Sequence, residues 1–430
     1  MKKFTYFLLI FISSLTFQSK AQTWTWMSDI EENQPMPFDR VFTASDANGN
    51  TFVAGNYGEM MMGGSIFIGS NTLTTTQGSD YFLVRYLPNG NVDWVKSFGT
   101  SNPDQIEDIT IDAQGNVYVA GIFSSTLTID GTTITGNQND FFLAKFNSAG
   151  VLQWLRQSNE GLTMMGFCSD IKIATDAINN CYVTGAFTES VSFGSGANAQ
   201  TLTSSGFRDV FMLKYNSSGT KQWVKSLGGI GSEVPVDVIA LPDGKILFSG
   251  VYGSDNPINI NGNTLSPTGA QDIFLAAYNS SGLYQWSQSI GSVNDDYLVR
   301  TQTDNSSNVY LVGYFGGPTG ANMTIGSITL NNLGSYDVFA LKINSNSNLV
   351  WAKSGGSSSS DACYDAALNT TTNKLYISLK VNNSATYGSL ILNSGNKVLT
   401  YTTEGQAVDF INLGTYGGNT KLTTWDNSTI

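Results

Sequence analysis

DFFLAKFNSAGVLQW (140–154) decides how this chain folds, because its pattern, an Asp 14 residues ahead of a Trp, occurs five times. The pairs are Asp80 with Trp94, Asp140 with Trp154, Asp209 with Trp223, Asp272 with Trp286, and Asp337 with Trp351. Each copy alternates apolar and polar residues, turns at a cluster of Asn, Ser, Pro and Gly, and continues into a second strand that carries the Trp. That is the pattern of an antiparallel hairpin.

A second signature alternates with the first: GNTFVAG (49–55), GNVYVAG (115–121), NCYVTG (180–185), GKILFSG (244–250) and NVYLVG (308–313), with a weaker copy NKLYISL (373–379). Its closing glycines, Gly55, Gly121, Gly185, Gly250 and Gly313, fall 66, 64, 65 and 63 residues apart. One period near 64 therefore repeats about six times. Tight Asp/Gly/Asn turns such as DAQGN (112–116) join the first two strands of each repeat, and the Asp-to-Trp hairpin supplies the last two.

Four antiparallel strands repeated radially give an all-β fold, a β-propeller, which leaves only short and protected sheet edges. The period exceeds the roughly 40 to 45 residues of a compact blade, so about 20 residues per repeat lie elsewhere. They too repeat, as TIDGTTIT (128–135), INGNTLS (260–266) and TIGSITL (324–330), and predict a small extra hairpin between the second and third strands. The units run approximately 25–87, 88–146, 147–215, 216–278, 279–343 and 344–413, with 414–430 a tail or a competing closing strand. Trp26 matches the Trp of a fourth strand, so six blades are expected, with the N-terminal strand completing the last; seven blades are the alternative.

MKKFTYFLLIFISSLTFQSKAQ opens the chain with Lys2 and Lys3, an apolar run, and small residues ahead of a cut after Ala21. Residues 1–21 read as a secretory signal peptide, and the expected location is secreted, extracellular or cell surface, with the periplasm as a variant. Removing Lys2, Lys3 and Lys20 leaves 18 basic against 33 acidic side chains. Such a surface disfavours nucleic acid, and no further stretch is long and apolar enough to span a membrane. Cys168, Cys181 and Cys363 are too few and scattered for a disulfide framework, and Cys181 takes the slot held by Val117 one repeat earlier. The chain has no histidine, which removes Ser-His-Asp and Cys-His catalysis and His-ligated metals.

GNVYVAG (115–121), DFFLAKFNSAG (140–150) and DVFMLKYNSSG (209–219) resemble the repeat of secreted bacterial SBBP-type β-propeller proteins. The resemblance covers almost the whole mature chain and implies a propeller at the surface or outside the cell, with no common activity or catalytic residues. Such proteins often end in a sorting domain; nothing after Phe410 looks like one, so the chain is expected to lack it or to be a fragment.

The six inter-blade loops hold 14 carboxylates in 60 residues and no Lys or Arg, where an even spread would place about five. Asp104, Asp108, Asp170, Asp237, Asp296 and Asp365 are the candidate ligands of an acidic mouth for a cation or a polar ligand. Calcium is the candidate cation, because hard cations prefer oxygen ligands and crowded carboxylates recruit counter-charge. The regular Asp80, Asp140, Asp209, Asp272 and Asp337, with Asp409, are read as structural hydrogen-bond acceptors at the start of third strands. The regular Trp residues are read as packing between blades. Tyr252, Tyr314, Phe315, Tyr336 and Tyr364 are candidates for stacking on sugar rings. The Met-rich GEMMMGG (58–64) and the long loop SNEGLTMMGFCSD (158–170) break the repeat. The functional expectation is a non-enzymatic, monomeric binding or scaffold propeller with no catalytic residues, presenting its acidic loop face to a protein or glycan. The rival is a carboxylate-dependent carbohydrate-active enzyme, a hydrolase or lyase.

Overall fold

The computed structural model describes residues 4–8, 28–32, 41–58, 64–75, 80–100, 102, 104–159, 168–253, 256–317, 320–414 and 422. Among them the repeats form six four-stranded antiparallel blades of a β-propeller. The third blade shows the plan: an inner strand Cys168–Thr175, then Cys181–Phe187, Asp209–Tyr215 and Lys221–Gly229 in that order across the sheet. The other inner strands are Val41–Ser45, Gln105–Ile111, Val234–Ala240, Tyr297–Thr303 and Ala362–Asn369.

The repeated letters have distinct physical tasks. In DAQGN the Asp112 carboxylate accepts the Gln114 and Asn116 backbone N–H groups, each at 3.0 Å, and Gly115 takes the left-handed conformation at φ 77. Such a turn asks for Asp and Gly at those places. The glycine closing the second signature makes room for the Phe two residues into the third strand. A Cβ on Gly185 would lie 2.5 Å from the Phe211 ring, and one on Gly250 or Gly313 would lie 2.6 Å from Phe274 or Phe339.

The core lies between blades rather than inside one. One buried cluster joins Tyr118, Phe141 and Trp154 of the second blade to Cys181, Phe187 and Phe211 of the third, and full burial of each such ring stabilises by about 1.5–3 kcal/mol. All three cysteines are free and buried, and burial pushes the Cys168 thiol up to about 12, as suits core hydrophobes. Each regular Trp packs at a blade boundary as expected and also bonds across it. The indole N–H donates to a carbonyl in the next blade's turn: Trp94 to Ser148, Trp154 to Ser217, Trp223 to Ser280, Trp286 to Ser345 and Trp351 to Thr403.

The expected extra hairpins are present, for example Ile258–Ile260 with Asn263–Leu265, and this one docks onto the preceding blade. Asn259 pairs with Gly228 and Ile258 with Gly229 at the end of that blade's fourth strand. In the same register Phe67 pairs with Glu31, so Ser28–Glu32 sits where a fourth strand ahead of the first blade would end. That confirms the strand's type and corrects its position, since the last blade forms its own fourth strand, Ala407–Gly414. The physical reason is sequence length: the chain after the Lys374–Val381 strand is long enough for both Gly395–Thr402 and its partner. Trp26 lies outside the described residues. Asp409 is corrected as well, because it lies in that fourth strand, exposed, and not at the start of a third. Phe4–Leu8 is described as a strand paired with Ser28–Glu32.

Candidate functional site

The six Asp residues proposed for one mouth occupy three different environments. The first is the propeller axis. A β-bulge in the inner strand leaves one residue per blade opposite the position before the closing glycine: Asp108 faces Ala120, Lys172 faces Thr184, Asp237 faces Ser249, Arg300 faces Val312 and Asp365 faces Ser378. Phe42, opposite Ala54, holds this place in the first blade. Acid and base therefore alternate from the second blade to the sixth.

Each axial carboxylate is held at both oxygens. Asp108 accepts its neighbour Ile109 N–H at 3.0 Å and Ile173 N–H of the next blade at 2.9 Å. Asp237 does the same with Val238 and Thr301, both at 3.0 Å. Asp365 accepts Ala366 N–H at 3.0 Å and, where the next inner strand would donate, Leu422 N–H at 2.9 Å. Arg300 Nε lies 3.4 Å from Asp365 and 3.9 Å from Asp237, too far and poorly aligned for a hydrogen bond, yet close enough to pair electrostatically. Lys172 lies over the Phe42 ring at 5.7 Å and donates to the Glu107 carbonyl. Burial pushes Asp237 up to about 6 and raises Asp108, against the pull of Arg300 and Lys172. Lys172 and Arg300 were missed by scanning loops; the register of the bulge against the closing glycine is the signal that finds them.

The second environment is a surface ion pair: Asp170, at φ 53, is bonded by the Arg208 guanidinium, which also donates to Ser169. The third is the blade junction. Asp104 and Asp296 precede the axial position by four residues, as do Glu233 and Asp361, and each of the four faces the third-strand Asp of the blade before. Burial takes Asp104 and Asp337 up to about 6 and Glu233 and Asp296 to about 7, and the facing carboxylates Asp80, Asp361, Asp209 and Asp272, in that order, add to the rise. The third-strand Asp residues do accept structural hydrogen bonds, Asp209 from Ser205 N–H at 3.0 Å, Asp272 from Thr268 at 2.8 Å and Asp337 from Leu333 at 2.6 Å.

On the loop face the aromatic candidates also separate. Tyr252 and Phe315 are core residues. Tyr314 and Tyr336 meet Tyr297 in a half-buried cluster, with Tyr297 and Tyr314 stacked at 4.8 Å and Tyr336 edge-on to them at 6.0 and 5.6 Å. Asp295 adds its negative charge to Tyr297 and Tyr336, and these two phenols bond to each other. Exposed apolar side chains share the face: Phe207, Ile230, Val293 and Leu333. Phe207 stands at the lip of a shallow depression of about 550 Å³ that includes Thr188, Glu189 and Ser204. No helix among the described residues is long and apolar enough to cross a membrane.

Residues 93–121 match the family model described as Beta-propeller repeat, SBBP. With its six blades the chain is a β-propeller, and one of its repeats matches the SBBP model. It is 24% identical over 355 residues to an uncharacterized WD repeat-containing protein of Acanthamoeba polyphaga mimivirus, a match covering 66% of this chain and 25% of that one. It is also 24% identical over 192 residues to the regulatory protein FlaEY of Caulobacter vibrioides, covering 43% of this chain and 19% of the relative. The chain thus spans a quarter or less of these curated relatives. Among solved structures it is similar to the β-propeller domain of Myceliophteria thermophila Swd1, with 8% identity, TM-score 0.43 and 93% of each chain covered. An ulvan lyase of polysaccharide lyase family 25 matches with 10% identity, TM-score 0.40, and 86% and 80% coverage.

Proposed function

We propose that this protein is an exported binding or scaffold propeller whose loop face takes a glycan or protein partner, with Tyr297, Tyr314 and Tyr336 at the contact. The observation that carries the reading is this aromatic cluster beside Asp295 on the face where apolar side chains stand exposed. Half-buried rings offer a flat apolar platform, and the nearby phenols and carboxylate accept and donate to hydroxyl groups. The carboxyls with the most catalytic character, Glu233 and Asp296, are fully buried, which favours binding over a carboxylate-dependent hydrolase or lyase.

The test is a glycan and surface-protein binding screen with the purified chain, repeated with Tyr336→Ala. Losing one stacking ring removes about 0.5–1.5 kcal/mol, so affinity is expected to fall up to about tenfold while the melting temperature holds. Binding unchanged in Tyr336→Ala and Tyr297→Ala moves the contact elsewhere, and turnover of a polysaccharide by the wild type replaces the reading with the enzymatic one.

A further inference from the structure

Four junctions repeat one spacing, an Asp, a Gly 19 residues later and an acid 5 residues after that: Asp80, Gly99 and Asp104; Asp209, Gly228 and Glu233; Asp272, Gly291 and Asp296; Asp337, Gly356 and Asp361. The glycine leaves space above the carboxyl of the third-strand Asp, for a Cβ on Gly228 would lie 2.3 Å from the Asp209 carboxyl carbon and one on Gly356 would lie 2.1 Å from Asp337 Oδ1. At three junctions the loop acid is bonded at both oxygens. Asp104 accepts Thr100 and Ser124 N–H, Asp296 accepts Ser292 and Gly316 N–H, and Asp361 accepts Ser357 and Asn382 N–H.

The Asp209 and Glu233 junction differs. Glu233 Oε2 accepts Gly229 N–H at 3.1 Å, but Oε1 has no hydrogen-bond partner, so the unmet Oδ1 of Asp209, which Asp272 and Asp337 share, here meets a loop acid that is itself unmet. Both side chains are buried, at 2% and 0% exposure. Arg208, the residue before Asp209, is turned to Asp170. Two buried carboxyls that face each other with an unmet oxygen apiece call for positive charge between them.

The molecule shows what happens when that place is filled. At the junction of the second and third blades Asn159 stands at the glycine position, 19 residues after Asp140. Its amide donates to Asp140 Oδ1 at 2.7 Å, the oxygen equivalent to the unmet one of Asp209. The position of the partner acid is held there by Cys168. A donor and the loss of one carboxyl together satisfy that junction.

We propose that Asp209 and Glu233 form the seat of one hard divalent cation of the calcium class at the junction of the third and fourth blades. Hard cations take oxygen ligands from carboxylates, backbone carbonyls and water. The Gly253 carbonyl is a further candidate, since it and Glu233 Oε1 both lie 3.3 Å from where a Gly231 Cβ would stand. Among the described residues no group of three or more acidic, Cys or His side chains converges, so the chain offers two carboxylates with carbonyls, and solvent completes the shell. The inference goes beyond the loop-face reading and needs no partner molecule to test.

The test is calorimetric titration of the intact chain with calcium chloride after chelator treatment, with terbium luminescence as a second readout. The expected result is a site that both Glu233→Gln and Asp209→Asn abolish while Asp108→Asn, at the axis, retains it. Glu233→Gln supplies an amide where Asn159 supplies one, so its melting temperature in chelator is expected to match or exceed the wild type. No calcium or terbium binding by folded wild type overturns the proposal, as does binding that survives both junction variants.

Discussion

The axis and the blade junctions use the same residue type four positions apart and reach opposite electrostatic states. Asp237 and Asp365 have two backbone donors each and Arg300 alongside, whereas Glu233, with one backbone donor, and Asp361, with two, face another carboxyl. The cause is the bulge: it turns the fourth residue to the centre, where the ring alternates acid with base, and leaves the first against the neighbouring blade. Acidic composition in these loops is therefore not one surface property. At the axis it is acid set against base, and at the junctions it is acid set against acid.

Breaking the axis should have the largest effect. Arg300→Met leaves Asp237 and Asp365 without their shared cation, and removal of one member of a buried pair costs about 3–5 kcal/mol. Because the Arg300 side chain is 30% exposed, the lower end, about 3 kcal/mol, is expected in urea unfolding. Arg300→Lys keeps the charge and should recover most of the loss; equal destabilisation by both variants would mean that packing, not charge, holds the axis.

A smaller effect sharpens the contrast from the opposite face. Asp112 there is bonded by Asn116, and Lys145 Nζ lies 3.0 Å away, so its carboxyl is held below the usual range. A depressed folded pKa contributes stability above the unfolded value and loses it as pH falls through the folded one. Asp112→Asn should cost about 1 kcal/mol at pH 7, a difference that shrinks as pH falls through the depressed folded value. Acid unfolding curves of the two proteins that stay parallel down to pH 2 would contradict this.

Much of the fold was legible because each repeated letter answers a backbone need that recurs in every blade. The Asp–Gly turn and the Trp at the boundary read from spacing alone, and the closing glycines set the period, although the Phe ring that each of them clears shows only in the structure. The site was less legible. Counting carboxylates by loop placed Asp104, Asp108, Asp170, Asp237, Asp296 and Asp365 together, because sequence does not show which way a bulge turns a side chain or that Lys172 and Arg300 arrive from the strands. Tyr297 escaped notice for the same reason. It lies one residue after Asp296, and only pairing with Tyr314 across the sheet brings it to Tyr336.

The most direct test of the facing carboxyls at the junctions is the unfolding free energy of the wild type in chelator between pH 8 and pH 5. Glu233 and Asp296, raised to about 7, and Asp104 and Asp337, raised to about 6 as the axial Asp237 is, have folded values above their unfolded ones. Such groups contribute stability that is complete below the unfolded pKa and lost as pH rises through the folded one. Stability should therefore increase as pH falls from 8 to 5. A stability that stays flat or declines across that range would contradict the account.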